Sequence, residues 1–388
     1  MAGPTAHAVL SASASHRWIN CPGSIRASED IPAGTTIFAD EGTDAHKAAE
    51  ELIREGKVDA KLRKAIKAFY EAHPELGGTV EDMIRTLEPY VEFVREEFAE
   101  AVKSDPAAEL MTEQRVDLGL WARGSFGTTD VAIIGGDQLT IIDLKYGKGV
   151  PVSAENNSQL RLYALGTLTM LEAVYDINTV KMVIYQPRLD NVSCDTISAD
   201  DLREWGESVV RPAADLALTD NAPTAAGSWC QFCPARHTCR TRADYFMELA
   251  EYKKKAFLSN EEIGQILAKV DGLVKWADDL KETTLTRAMH GEDFPGWKVV
   301  EGRSVRRFTG SEEEIVKQCE GAGYDRALLY ETRLLTLTNI EKLLGKTQFA
   351  EILDGYYEKP QGKPTLAPES DRRPAIINQS AAEDFADE

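Results

Sequence analysis

The sequence predicts an α/β protein: a mixed sheet of about five strands flanked by helices, followed by a mainly helical region. Three observations carry that expectation. Apolar residues recur at helical spacing through the first hundred positions. The period shortens to that of strands over residues 109–146 and again over 180–198. A glycine pair, Gly135-Gly136, separates two of the strand-like runs, as a tight turn would.

Taken in order, residues 11–30 begin with a serine-capped short helix that ends near Cys21-Pro22. Residues 41–46 lead into a helix running to about Glu55, with Ala45, Ala48, Ala49 and Leu52 on one face. Residues 59–73 and 79–103 read as two amphipathic helices, parted by Pro74 and Gly77-Gly78. Strands are expected over 109–120 and 125–134, with a turn at 135–138 into a third over 139–146. A helix over 153–174, starting near Asn156-Asn157, joins these to a strand over 180–186 that pairs with 191–198. A further helix over 199–216 follows. Beyond Tyr252 come a long helix over 260–290, a short strand over 297–307 and small helices to about Tyr356. From Lys359 the chain is rich in Pro, Gly, Ser and acids, which predicts disorder. The expected domains are 1–250, a helical 251–358, and an acidic tail over 359–388.

Composition narrows the class. With 388 residues, 43% hydrophobic and 28% charged, the chain can bury a full core. No run of eighteen apolar residues is present, so no membrane span is expected. The first fifteen residues are small and polar, unlike a secretory leader, which points to the cytoplasm. The net charge of −20 argues against a broad basic surface for duplex DNA. Carboxylates gathered for a metal site would inflate the acidic count, and a bound cation would invert their local field.

Two constellations carry chemistry. Cys21 stands alone near the start, and Cys230, Cys233 and Cys239 form a C-x2-C-x5-C run. One ligand from the start of a domain and three from its end would make a four-thiolate staple, suited to an iron–sulfur cluster or to zinc. Trp18, Trp229 and Phe232 lie beside these cysteines and are expected to shield them from water; Cys194 and Cys319 have no partner pattern. The second constellation is Gly127-Thr128-Thr129-Asp130, then Asp143-Leu144-Lys145, then Gln159 and Tyr163 four apart on the following helix. Asp143 and Lys145 are two apart on a strand and share a face, and a hairpin through Gly135-Gly136 would bring Asp130 near Asp143. Two such carboxylates suit Mg²⁺ or Mn²⁺. A lysine beside them can hold water and neutralise phosphate charge. His46 and Glu113 are candidate further ligands.

In this order and spacing, His46, Asp130, Asp143-x-Lys145 and Gln159-x3-Tyr163 resemble the PD-(D/E)XK nuclease superfamily in its RecB-like branch. The Cys21…Cys230-Cys233-Cys239 pattern resembles that branch's iron–sulfur members, the AddB-type subunits and the CRISPR-adaptation exonucleases. The resemblance covers about residues 11–245, and Asp143 stands where many relatives carry Glu. It implies a restriction-endonuclease-like sheet and a [4Fe–4S] cluster (zinc being the alternative) tying the two ends of the domain together. It also implies metal-dependent DNA exonuclease activity on single strands or duplex ends, as in a stand-alone phage or prophage nuclease. The partners implied are DNA and a recombinase, single-strand-binding protein or helicase. The competing reading is a non-catalytic DNA-binding or assembly module that keeps fold and cluster.

Overall fold

Side-chain caps set the limits of the N-terminal helices. In the computed structural model, which describes residues 8–31, 36–247, 259–300, 311–330 and 337–357, two short helices come first: α1 (Ser15–Asn20) and α2 (Ser24–Ala27). Trp18 of α1 is fully buried, and its indole N–H donates to Ser11 O at 3.0 Å. Helix α3 (Ile37–Glu55) starts four residues before the expected position because the Thr36 hydroxyl accepts from Ala39 N at 3.2 Å, and it stops at Gly56, φ 69°. Asp59 caps α4 (Ala60–Ala72) and Thr79 caps α5 (Val80–Ser104).

Five strands follow: β1 (Glu109–Asp117), β2 (Phe126–Gly135), β3 (Gln138–Leu144), β4 (Thr179–Gln186) and β5 (Asn191–Ser198), hydrogen-bonded in that order. All neighbours are antiparallel except β3 and β4, which run parallel. A parallel step needs a crossover, and α6 (Ser158–Leu171) supplies it. Gly135 pairs with Gln138 across a turn in which Gly136 takes φ 61°, as the glycine pair predicted.

Helices cover both faces. Leu160, Leu162, Ala164 and Leu165 of α6 pack with Trp18, Ala132, Ile134, Ile141 and Met182 on one side. Ala45, Ala48, Ile66, Met83 and Leu87 from α3, α4 and α5 pack with Val131, Ile133, Ile142 and Val183 on the other. Each fully buried Leu or Ile side chain contributes about 1.5–3 kcal/mol. Two such layers therefore hold the sheet rigid under whatever its edge carries.

Helix α6 begins at Ser158, beside the expected start near Asn156-Asn157, because the Asn157 side chain accepts from Gln159 N and Leu160 N. The helix expected over 199–216 is α7 (Ala199–Trp205) and α8 (Arg211–Ala217), joined by a π-turn at Gly206–Val210. Pro212 cannot donate to the carbonyl four residues back, which favours the wider turn. Helix α9 (Arg240–Met247) and the long α10 (Asn260–Met289) follow, then α11 (Glu312–Gly321), α12 (Leu337–Leu344) and α13 (Lys346–Leu353). The chain separates into two units, Met1–Thr286 and Arg287–Glu388. The strand expected over 297–307 is not formed at 297–300, where Trp297 and Val300 are exposed with no sheet edge to cover them; 301–307 and the acidic tail over 359–388 lie outside the described residues. Among the described residues no helix is long and apolar enough to cross a membrane.

Candidate active site

A distortion in β1 and β2 builds the site. Thr112 pairs with Val131 and Gln114 with Thr129, which sets Glu113 across the ladder from Asp130. Glu113 takes φ 46°, a left-handed conformation that costs a non-glycine residue about 1–3 kcal/mol. Its effect shows in the packing on either side. Met111 and Val116 both pack against the α6 core, although residues five apart on a regular strand face opposite ways. The strand changes face at Glu113, and the carboxylate there is left in the seam between the two cores.

Helix α3 brings His46 to the same seam. Ala45, Ala48 and Ala49 bury its inner face, and His46 next to them stays partly open. His46 Nδ1 lies 3.1 Å from Asp130 Oδ1. Ligating atoms of His46, Glu113 and Asp130 all fall within 4.8 Å of one another. They line an open cleft with Gly42, Lys47 and Glu50. The two carboxylates are hard oxygen donors that suit Mg²⁺ or Mn²⁺, and the borderline imidazole nitrogen is better matched to Mn²⁺ of the two, so the residues fit such an ion. The electrostatics carry the mark of crowded acids. Burial, then the Asp130 charge, push the Glu113 carboxyl up to about 7 against the pull of His46. Burial works to lower the His46 pKa, but Asp130, Asp143 and Glu113 overcome it and raise it to about 9.

Asp143 does not join that triad. It is 2% exposed, and its Oδ2 meets Lys145 Nζ at 2.8 Å. Lys145 Nζ also donates to Gln159 Oε1 at 3.0 Å. The Gln159 amide donates onward to Asp143 Oδ1 at 3.3 Å and to Tyr163 OH at 3.0 Å. The four residues picked from spacing thus form one hydrogen-bonded chain, reached from β3 and the first two turns of α6. Burial would lower the Lys145 pKa, yet Asp143 and Asp130 raise it, so the ammonium is held charged. Burial raises the Asp143 pKa, and Lys145 opposes that shift. Asp130 closes the gap between the two groups, because its Oδ2 accepts from Leu144 N at 2.7 Å, between Asp143 and Lys145 in sequence.

Sequence reasoning missed two features here. Tyr90 of α5 is buried beside the acids; burial, then Asp130, Asp143 and Glu113, keep its phenol protonated well above the usual range. Nothing in its helical spacing sets it apart from a core aromatic. Glu41, 3% exposed, binds both guanidinium nitrogens of Arg188 at 2.9 and 2.6 Å, and that guanidinium stacks on Tyr146, next to Lys145.

The cysteines line a separate pocket of the first unit. Gly23 N donates to Pro223 O at 2.8 Å, drawing the N-terminal helices to the segment before Cys230. Cys21, Cys230, Cys233 and Cys239 line one pocket with Arg17, Arg236 and Arg242. Cys21 Sγ accepts from Ala225 N at 3.3 Å and Cys230 Sγ from Gly227 N at 3.5 Å. Burial raises both thiols, and at Cys230 the Arg242 charge pulls the other way. The four are neighbours without being a closed cage, since among the described residues no three of their sulfurs come within 4.8 Å of one another. Of the three aromatics expected to shield the cysteines, Trp229 lines their pocket, Trp18 is buried in the α6 core instead, and Phe232 is 81% exposed because its place in the short turn Ser228–Phe232 points it to solvent.

Two solved structures are similar to parts of this chain. One is a protein from Eubacterium rectale described as a candidate exonuclease, 10% identical, covering 54% of this chain and 79% of its own, with a TM-score of 0.32. The other, SSO0001, is 15% identical and covers 60% of this chain and 85% of its own, with a TM-score of 0.25. With TM-scores this low, neither defines the fold. A family model described as "Protein of unknown function (DUF2800)" matches residues 7–374, which takes in both constellations and the helices after them. The chain belongs to the DUF2800 family.

Proposed function

We propose that this protein is a metal-dependent deoxyribonuclease of the PD-(D/E)XK type, acting as an exonuclease on single strands or duplex ends, in phage or prophage recombination, replication or repair. One observation carries the reading: the converging donors of His46, Glu113 and Asp130 adjoin the buried chain Asp143–Lys145–Gln159–Tyr163 through a single Asp130 hydrogen bond. His46, Glu113 and Asp130 would hold Mg²⁺ or Mn²⁺, which supplies charge stabilisation at a phosphate and an acidified water.

The chain's own residues do the rest. Lys145, held protonated by Asp143, offers a fixed positive charge to the phosphate as its negative charge grows, and needs no reorganisation to do so. Gln159 fixes the ammonium's direction through its Oε1. Tyr163 holds the Gln159 amide in the right sense, so the glutamine oxygen faces Lys145 and its nitrogen faces Asp143.

The four cysteines would hold a structural [4Fe–4S] cluster. Four thiolates can hold either a tetrahedral zinc or a [4Fe–4S] cluster, and the resemblance to iron–sulfur members of the nuclease branch favours the cluster. The pocket is tied at both ends of the domain.

The test is anaerobic purification, then incubation with end-labelled single- and double-stranded DNA in Mn²⁺ or in EDTA, beside Lys145→Ala. Release of label that needs metal and is lost in Lys145→Ala is the expected result. A folded, metal-loaded protein that leaves both substrates intact overturns the nuclease reading in favour of a non-catalytic DNA-binding module.

A further inference from the structure

Among the described residues Arg242 is the one cation that is buried. It is 3% exposed and lines the four-cysteine pocket. Its Nη1 donates to Asp279 Oδ2 at 2.7 Å and to Arg236 O at 3.1 Å. Its Nε is buried and, among the described residues, has no hydrogen-bond partner. A buried guanidinium N–H left unpaired carries its full desolvation cost, and the thiol pocket that Arg242 lines holds acceptors for it.

Asp279 lies on α10, which meets α9 and the cysteine loop at a few named contacts. Trp276 stacks on Phe246 of α9, centroids 5.6 Å apart at 25°. Gly272, one turn earlier, leaves room for the same Phe246 ring. Arg236 Nε, from the cysteine loop, donates to Asp279 Oδ1 at 3.4 Å. Gly272, Trp276 and Asp279 share one face of α10, and no residue of the helix is fully buried. Among the described residues, the contacts of α10 thus include an aromatic stack, the Lys269 ammonium over the Tyr245 ring at 4.3 Å, and one carboxylate shared by two arginines.

We infer that Arg242 is the charge partner of the metal-loaded four-thiolate site, through its free Nε–H, and that Asp279 on α10 positions it, so that occupancy of the site and docking of α10 are coupled. This rests on the four-thiolate reading above. A divalent ion or an iron–sulfur cluster held by four thiolates keeps net negative charge, and N–H donors to the sulfurs are the usual second layer around such a group. With that group in place, Arg242 faces an anion on each side and binds both. Without it, the guanidinium is left with Asp279 alone and the anchor of α10 weakens. Coupling of this kind is reciprocal, so loosening α10 must also loosen the metal.

The experiment uses the full chain, purified anaerobically, as wild type, Asp279→Asn and Arg242→Lys. Iron and zinc are measured directly, their release to a chelator is timed, and hydrogen exchange is followed in α10 peptides before and after stripping. Asp279→Asn is the safer variant, because it touches no cysteine and lies outside the two sheet cores. The expected result is metal release about 10–100-fold faster in Asp279→Asn, with faster exchange in α10 of the wild type once it is stripped. Arg242→Lys, which keeps the charge but loses the fork, should fall on the same side. Wild-type release in both variants, with α10 exchange indifferent to stripping, overturns the coupling and leaves the four-thiolate site standing. A wild type that carries neither iron nor zinc overturns the site itself and the inference with it.

Discussion

The ring of Tyr163 lies against the Cα of Gly127: a Cβ on Gly127 would come within 2.6 Å of Tyr163 Cε1. The glycine of the Gly-Thr-Thr-Asp run is therefore not there for backbone freedom. It makes room for the phenol that orients Gln159, and through Gln159 the ammonium of Lys145.

Gly127→Ala should accordingly push the Tyr163 ring aside and misdirect Gln159. Misplacement of about 1 Å in such a group costs roughly 100-fold in rate, and overpacking against this buried ring costs about 1–3 kcal/mol of stability, too little to unfold the chain. The check is nuclease rate beside thermal stability. A variant with full activity would show that the Gln159–Tyr163 contact has no part in positioning Lys145.

Glu113→Gly should stabilise the metal-free protein. Glycine removes the left-handed strain, of about 1–3 kcal/mol, and takes away a carboxyl that burial and Asp130 already hold near its neutral form. The same change deletes a ligand, so the thermal shift on adding Mn²⁺ should shrink or vanish. Thermal melts with and without Mn²⁺ test both halves. A variant less stable than the wild type when metal-free would mean that Glu113 is not strained.

These two sites mark what the sequence could and could not disclose. The chain Asp143–Lys145–Gln159–Tyr163 was legible because strand and helix periodicity are local, so residues two and four apart must share a face. The Gly135-Gly136 turn was legible for the same reason. His46, Glu113 and Asp130 were each legible as candidate ligands, but how they divide from Asp143 was not. Asp130 and Asp143 looked like a pair of carboxylates for one cation, but Asp143 is absorbed by Lys145, and the converging group draws on Glu113 through a break in strand alternation. Nothing in the residues around Glu113 announces that break. The π-turn between α7 and α8 and the early start of α3 depend on a proline and a cap whose effect is decided by tertiary packing.

Glu41→Gln should destabilise the protein by about 3–5 kcal/mol, because it leaves the Arg188 guanidinium, 15% exposed, without its counter-charge. Tyr70, which donates to Glu41 Oε1 at 2.8 Å, would lose its acceptor's charge as well. Replacing both partners by Leu should cost far less than either single change, since a buried ion pair competes poorly with apolar packing. Chemical denaturation of the two single variants and the double variant measures this. If the double variant loses as much as both singles together, the pair is not an isolated unit.

The pH dependence of the metal-free protein follows from His46 and Glu113. His46 rises from 6.5 to about 9 in the folded chain, so its contribution to stability is complete below 6.5 and is lost as pH climbs through about 9. Glu113 rises from 4.5 to about 7, so its protonated form favours folding below 4.5 and that advantage disappears through about 7. Both groups therefore weaken the apo-protein in the same direction, from about pH 5 to pH 9. A divalent cation needs both ligands deprotonated and displaces their protons on binding. The gain in melting temperature on adding Mn²⁺ should then grow steadily over that window, being small where His46 is charged and largest near pH 9. Calorimetric titration in buffers of different ionisation enthalpy would show the released protons directly. Mn²⁺ binding whose affinity is flat across this range would mean that His46 and Glu113 are not among its ligands.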